Sequence, residues 1–275
     1  MSERRVVFLD FDGTYADRGV VPPAHVAAVR AARARGTMVL LCTGRPKAMI
    51  SAEMLAAGFD GFVAAAGGYV EVAGQVLVDR RFPADLAASV LEVLDAHDIA
   101  YLLEAPDAVH GLPGVDVRLG GLLADHFGDT AGPAKGPADI LANLRMSSDL
   151  SAESFGKVTL FDSPLPVSRL AASIGSEVDW VPSSLPGMGE SAGELFLTGV
   201  HKAVGMEVVV EHFGFDQRDV IAFGDGHNDI EMLRFAGVGV AIEGAHPDVL
   251  AAADTTAGGP AVGGLAAAFA ILGLV

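Results

Sequence analysis

The chain has 275 residues, 51% of them hydrophobic, enough for one large domain or two modest ones with a core that needs no disulfide or metal staple. Eighteen Lys and Arg against 35 Asp and Glu give a formal net charge of −17, a field that disfavours nucleic acid and anionic membrane surfaces as partners. The single cysteine, Cys42, excludes an internal disulfide. With no apolar leader in Met1–Asp12, a reducing, cytoplasmic setting is expected.

In chain order, Arg4–Leu9 is a short apolar run and reads as a strand that breaks at Asp10. Pro22 and Pro23 open a helix that runs to about Arg35 and stops at Gly36. Met38–Cys42 is a second strand, and Pro46 opens a second helix, closed by Gly58. Phe62–Ala66 is a third strand. This strand–helix–strand rhythm predicts a parallel sheet covered on both faces.

The rhythm then changes. Tyr69–Val78 alternates around Ala73-Gly74, a hairpin pattern. Asp85–His97 reads as helix, and Ala100–Leu103, Lys157–Phe161 and Val178–Val181 as strands. Clustered Gly and Pro make Gly120–Pro137 read as loop.

The first rhythm returns near Glu194, with Leu195–Leu197 read as part of it. A helix over His201–His212 follows, then a strand Val220–Phe223, a helix Asn228–Phe235 and a strand Val238–Ile242. The apolar segment Gly258–Val275 is shorter than the roughly 20 residues a membrane span needs and is expected to pack as a buried final helix. The fold class is therefore α/β, a Rossmann-like doubly wound parallel sheet. Residues 1–81 and 190–275 form the core, and 82–189 form an inserted α+β domain. Sites in such sheets lie at the carboxyl ends of strands, where Asp10, Thr43 and Asp225 fall.

Four stretches carry chemistry. In Asp10-Phe11-Asp12-Gly13-Thr14, two acids two residues apart follow a strand. One carboxylate can attack a phosphate ester as nucleophile, and the other can serve as acid and then base. The same letters also make an ordinary turn. In Thr43-Gly44-Arg45, a hydroxyl and an amide can hold phosphate oxygens, with Arg45 adding charge. A plain helix cap reads the same way. Lys202, at a helix start, suits an anion there. In Gly224-Asp225-Gly226-His227-Asn228-Asp229, Asp225 and Asp229 offer oxygen ligands for Mg²⁺ and Asn228 a polar contact. His201 and His227 are expected to face solvent.

These stretches, in this order, resemble the haloacid dehalogenase-like superfamily. The insertion, together with Asn228–Leu233 and Gly239–Ile242, resembles its Cof-type subgroup. The resemblance implies Asp10 as nucleophile and Asp12 as acid/base. It implies Mg²⁺ held by Asp10, the Asp12 carbonyl and Asp225, with Asp229 as ligand or anchor. Thr43, Gly44, Lys202 and Asn228 would contact phosphate, and Arg45 would add charge. The metal, Lys202 and Arg45 would supply the local positive charge that a −17 chain needs around a phosphate ester.

Four positions depart from the family pattern: Tyr15, Ala65-Ala66-Gly67-Gly68, Lys202-Ala203 and Glu243-Gly244-Ala245. They bear on subgroup and substrate. The implied activity is hydrolysis of a small phosphorylated metabolite such as a sugar phosphate. A phosphomutase or phosphotransferase, or a non-catalytic phospho-ligand-binding regulator, would use the same residues. The inserted cap would select the substrate. Arg118, His110 and Lys157 are its candidate contacts, and surface positions are expected for all three. Oligomeric state is not legible in the sequence.

Overall fold

The computed structural model describes residues 4–127, 135–183 and 188–275. The chain divides into two compact units. Met1–Arg45, Ile50–Asp79 and His201–Val275 make the first, and Pro46–Met49 with Arg80–Val200 make the second.

The first unit begins with β1 (Val6–Leu9), α1 (Pro23–Ala34), β2 (Met38–Cys42), β3 (Gly61–Ala64), β4 (Tyr69–Val72) and β5 (Gln75–Asp79). In the second lie α2 (Ala84–Asp95), β6 (Tyr101–Glu104), β7 (Val109–Gly111), α3 (Val115–Phe127), α4 (Lys135–Asn143), β8 (Leu144–Met146), β9 (Lys157–Leu160), α5 (Val167–Ile174), β10 (Val178–Pro182) and β11 (Gly193–Leu197). The chain then returns to the first unit with α6 (Lys202–Phe213), β12 (Val220–Gly224), α7 (Ile230–Phe235), β13 (Val238–Ile242), α8 (Pro247–Ala251), β14 (Thr255–Ala257) and α9 (Gly264–Ile271).

The first unit is an eight-stranded sheet in the order β14-β13-β12-β1-β2-β3-β4-β5. From β14 to β3 neighbours run parallel, and β4 and β5 add an antiparallel hairpin. That hairpin turns at Ala73 and Gly74, both with φ near +50° to +80° (51° and 78°), the conformation a two-residue turn between right-twisted strands requires. Side-chain alternation along β1 splits the core in two. Val7 and Leu9 pack with Val29 of α1 and Phe269 of α9. Val6 and Phe8 pack with Met206 and Val209 of α6 and Met232 and Leu233 of α7. A strand apolar on both faces is the mark of a sheet covered on both sides. β1 sits at its centre, between β12 and β2, so its carboxyl end is flanked by theirs.

The second unit is a six-stranded sheet ordered β10-β11-β9-β6-β7-β8, antiparallel except for the β7–β8 pair. α2 and α5 pack on it through Val90, Leu94, Val167 and Leu170. Among the described residues no helix is long and apolar enough to cross a membrane, and Leu265 and Phe269 of α9 are fully buried.

Five local expectations are corrected. Leu195–Leu197 does not belong to the first sheet; β11 pairs with β9 and β10 in the second, so that unit runs to Val200. No regular helix follows Pro46. Lys47–Met49 is a single 3-10 turn, and later bonds such as Ala56 N–H to Glu53 O close isolated turns. The Ser51 hydroxyl accepts from Met54 N–H, a local bond that competes with helix continuation. The loop read over Gly120–Pro137 is helical to Phe127 and again from Lys135. Val115, Leu119 and Leu122, at i, i+4 and i+7, give α3 an apolar face against Leu102 and Val109, which outweighs the helix cost of two glycines. Residues 128–134 of that stretch lie outside the described residues. Lys157 and His110 are not surface residues: they are 2% and 7% exposed, held by carboxylates. His201, finally, is half-buried.

Candidate active site

Asp10 follows the last residue of β1, and its N–H donates to Phe223 O at 3.0 Å, tying it to the end of β12. The chain then folds back tightly. Tyr15 N–H donates to Asp10 O and Ala16 N–H to Phe11 O. Tyr15 anchors the loop. Its ring lies against Phe59, edge to face at 5.2 Å, and burial pushes its hydroxyl up to about 12. Gly13 has φ of +92°, and a Cβ there would overlap the Asp225 carboxylate. The glycine is required both for the backbone conformation and for the approach of Asp225.

Lys202 is the pivot. It is fully buried, and its Nζ donates to Asp10 Oδ1 at 2.6 Å and Asp229 Oδ1 at 2.5 Å. Burial disfavours the ammonium, but Asp10 and Asp229 outweigh this and hold its pKa above the ordinary value. Asp229 has no idle oxygen. Its Oδ2 accepts from Asp225 N–H at 3.0 Å and Gly226 N–H at 2.9 Å. Asp225 Oδ1 accepts from the Thr14 hydroxyl at 2.7 Å.

Burial pushes Asp10 well above the usual carboxylate range; Asp229 and Asp225 add to this, and Lys202 opposes it. Asp225 is raised by burial as well, with the Thr14 hydrogen bond opposing and Asp229 adding. Asp10, Asp225 and Asp229 each offer an oxygen within 4.8 Å of the others. Three carboxylates thus share one ammonium in a poorly solvated place, where like charges are costly.

Asp12 and Arg45 form a second group. Arg45 Nε and a terminal nitrogen each donate to Asp12 at 2.8 Å, and the guanidinium lies 5.1 Å over the Phe11 ring. The Asp12 side chain is 52% exposed. Thr43 is buried, and its hydroxyl accepts from Arg45 N–H at 3.2 Å. A Cβ on Gly44 would stand 3.6 Å from the Asn228 amide nitrogen, so the second and fourth stretches meet there. All nine candidate residues thus lie in the first unit. His227 is exposed.

Two residues outside the candidate set help build the site. Thr14 orients Asp225, and its place in the first stretch was the available signal. Gly67, at φ +105°, lets the turn after β3 come against the start of α6, where a Cβ would overlap His201 O. The Ala65–Gly68 departure pointed there: Ala65 and Ala66 also adopt positive φ, 48° and 52°, a conformation that costs a non-glycine residue about 1–2 kcal/mol.

A parallel sheet carries paired acids at the end of its central strand, a buried lysine and a third acid at the neighbouring strand, an arrangement that can hold a cation beside a carboxylate. The sequence model of the haloacid dehalogenase-like hydrolases matches residues 7–269, so the chain belongs to that family and is an enzyme of the phosphoric monoester hydrolase type. The pyridoxal phosphate phosphatase YbhA of Escherichia coli is 26% identical over 264 residues, covering 92% of this chain and 93% of its own. The 5-amino-6-(5-phospho-D-ribitylamino)uracil phosphatase YbjI of the same organism is 47% identical over 70 residues, 26% of each chain. Among solved structures, the subclass IIB sugar phosphatase BT4131 superposes with a TM-score of 0.78 at 23% identity, covering 98% of this chain and all of its own. Such a likeness speaks for the fold.

Proposed function

We propose that this hydrolase is a Mg²⁺-dependent phosphatase that cleaves a small phosphorylated metabolite, a sugar phosphate or similar compound, through an aspartyl-phosphate on Asp10. The observation that carries the reading is the buried Lys202 ammonium shared by Asp10 and Asp229, with Asp225 beside them. The names of YbhA and YbjI, each a phosphatase of a small phosphorylated compound, support the substrate class.

The residues fit the metal. Mg²⁺ takes oxygen donors and only one or two carboxylates. Here clustered carboxylates carry raised pKa values through burial and mutual repulsion, which a cation would relieve. Asp10, Asp225 and the Asp12 carbonyl would hold it. Asp229 has both oxygens engaged, so its role is to anchor the 225–229 loop and Lys202. When bound, Mg²⁺ supplies positive charge to a transferring phosphoryl group.

Uncatalysed phosphate monoester hydrolysis is among the slowest reactions enzymes accelerate. An Asp10 carboxylate oxygen attacks phosphorus while the ester P–O bond breaks, and Asp12 gives its proton to the departing oxygen. Asp12 then takes a proton from water, whose oxygen attacks phosphorus and releases Asp10. Lys202 opposes the burial that disfavours the Asp10 carboxylate and offsets phosphoryl charge. Thr43, Gly44 and Asn228 orient the phosphate oxygens. Arg45 offers the phosphate a charge-assisted, forked contact. Taking it up loosens the Arg45–Asp12 pair, whose Asp12 end is half exposed, and leaves Asp12 free to move its proton. The inserted unit is the proposed cap and holds the residues that choose the leaving group.

The test is phosphate release from a panel of phosphorylated metabolites, with Mg²⁺ or EDTA, by wild type and Asp10→Asn. Mg²⁺-dependent release that Asp10→Asn abolishes is expected. Release that survives in Asp10→Asn removes the nucleophile. Transfer to a second sugar without free phosphate makes the enzyme a mutase.

A further inference from the structure

The 225–229 loop presents a second group of ligands on its outer side. His227 opens the 3-10 turn His227–Asp229. His246 precedes α8 as its N-terminal cap, and Asp248 lies in the first turn of that helix. The two imidazole rings stand 4.5 Å apart, centroid to centroid, tilted by 45°. His227, His246 and Asp248 each offer one ligand atom, and these lie within 4.8 Å of one another.

We propose that His227, His246 and Asp248 form a surface site for a borderline transition-metal ion of the Zn²⁺ type.

The donor set decides the class of ion. Imidazole suits Zn²⁺, Cu²⁺ and Ni²⁺, whereas Mg²⁺ prefers an all-oxygen shell. The acidic cluster around Asp10 and this group therefore select different metals, although His227 stands two residues from both Asp225 and Asp229. Two imidazoles and a carboxylate leave a fourth tetrahedral position open to water or an incoming ligand.

Geometry permits closure. Ligand atoms about 2.1 Å from a tetrahedral ion stand ~3.4 Å apart, so an excursion of at most about 1.4 Å per pair is needed. All three side chains are exposed, and His246 Nδ1 already lies 3.4 Å from Asp248 Oδ2. Their backbones are fixed meanwhile. The 227–229 turn is pinned by the two N–H bonds to Asp229 Oδ2. His246 is followed by Pro247 and held by the Asp248 N–H to His246 Nδ1 contact at 3.3 Å. Among the described residues, no hydrogen bond engages the His227 ring. The rings are thus brought together by two separate chain segments with no hydrogen bond between them, and the His246 Nδ1 contact with Asp248 N–H leaves its Nε2 available. The proposal does not depend on the phosphatase reading, since none of the three residues takes part in that chemistry.

The test is titration of the full chain with Co²⁺, a spectroscopic stand-in for Zn²⁺, with Mg²⁺ in excess to occupy the acidic cluster. A visible absorption band saturating at one equivalent, and displaced by Zn²⁺, is expected in wild type and in Asp10→Asn. His246→Gln and Asp248→Asn should each weaken binding by about tenfold or more, and circular dichroism confirms that both fold. Asp248→Asn leaves the His246 cap in place and so separates lost ligation from lost folding. A band that both variants leave unchanged, that Asp10→Asn removes, or that does not develop at all, overturns the site.

Discussion

Each unit of the molecule buries a lysine between two acids, and the two arrangements are not alike. Lys157 of β9 stands directly opposite Glu104 on the neighbouring strand. It reaches Glu104 at 3.0 Å and Glu194 at 3.1 Å, while the Thr159 hydroxyl donates to Glu104. Burial raises the Glu104 carboxyl, with Lys157 opposing and Glu194 adding. All of this is built into adjacent strands of one sheet, and the partly exposed Glu194 passes its residual charge to water. Lys202 instead gathers acids from positions 192 and 27 residues away, Asp10 at the carboxyl end of β1 and Asp229 in the turn that follows β12. A third carboxylate, Asp225, sits beside them with no cation of its own among the described residues. A buried lysine with two acids is therefore no signature of a site. The distinguishing features are surplus negative charge and a position where strands end.

The sharpest way to break this comparison is to remove each lysine. Lys157→Met leaves Glu104 buried without its cation, and losing one partner of a buried pair costs about 3–5 kcal/mol. Urea denaturation should report a loss of that order, while kcat of the folded fraction stays within about twofold. The double variant Glu104→Gln/Lys157→Met should regain most of the stability, since it removes the stranded charge. If Lys157→Met instead lowers kcat at unchanged stability, the two clusters have been assigned the wrong way round. Lys202→Ala strands Asp10 and Asp229 in the same way and should also lose stability, but unlike Lys157→Met it should lower turnover of the folded fraction: losing a preorganised electrostatic donor costs about 10²–10³ in kcat. Phosphate release within tenfold of wild type would remove Lys202 from the chemistry.

Charge surplus predicts a metal effect that depends on pH. The folded state raises the pKa values of Asp10 and Asp225 above their unfolded values of about 4. In the metal-free protein, their contribution to stability is therefore complete below about pH 4 and is lost as pH rises through the raised folded values. Mg²⁺ favours the ionised carboxylates, so the stability gained from it should grow with pH. At 100 times its dissociation constant the gain is about 2.7 kcal/mol. His25 titrates with the opposite sign: burial lowers it, so its contribution is lost as pH falls through the lowered value. His25 stands outside the acidic cluster, and the difference between Mg²⁺ and EDTA curves cancels it. Denaturation from about pH 5 to about pH 8 should show the gap opening in wild type and absent in Asp225→Asn. A gap that is flat across that range, or that persists in Asp225→Asn, shows that the surplus charge is not what the ion answers.

The site was more legible than the scaffold that surrounds it. Asp10, Thr43 and Asp225 each follow an apolar run and precede a turn, so local spacing alone set them at strand ends. Lys202 was visible as a residue but its complete burial was not, because burial comes from packing by segments far away in sequence. The double engagement of Asp229 was hidden for the same reason. In the second unit, local pattern misled. Lys157 is polar and reads as exposed, yet its cross-strand partner Glu104 lies more than 50 positions away. Gly120 and Gly121 read as loop, yet Val115 and Leu119 hold α3 against the sheet. The run after Pro46 failed differently: Met49 packs with Ala100 and Leu102 of the second unit, while Ile50 onward returns to the first, so one helix cannot serve both.

The smallest expected effect concerns a third ion pair, unlike both lysine clusters in that its carboxylate is half open to water. Asp12 is half exposed and paired at both oxygens by Arg45. Only the Asp12 end is open to water, the Arg45 side chain being 10% exposed; a pair screened at one end falls at the upper end of the about 0.2–1 kcal/mol of exposed pairs, so Arg45→Gln should cost about 1 kcal/mol. If Arg45 exchanges Asp12 for substrate phosphate, the variant loses a charged contact to the ligand, and KM should rise about tenfold, the equivalent of about 1.4 kcal/mol. kcat should stay within a few-fold, because Asp12 no longer has to be released. A fall in kcat at constant KM would mean that Arg45 acts on Asp12 during proton transfer, and the exchange would be wrong. A stability loss comparable to that of Lys157→Met would place the pair with the structural cluster instead, and exposure would no longer separate the ion pairs that hold the fold from those that work the site.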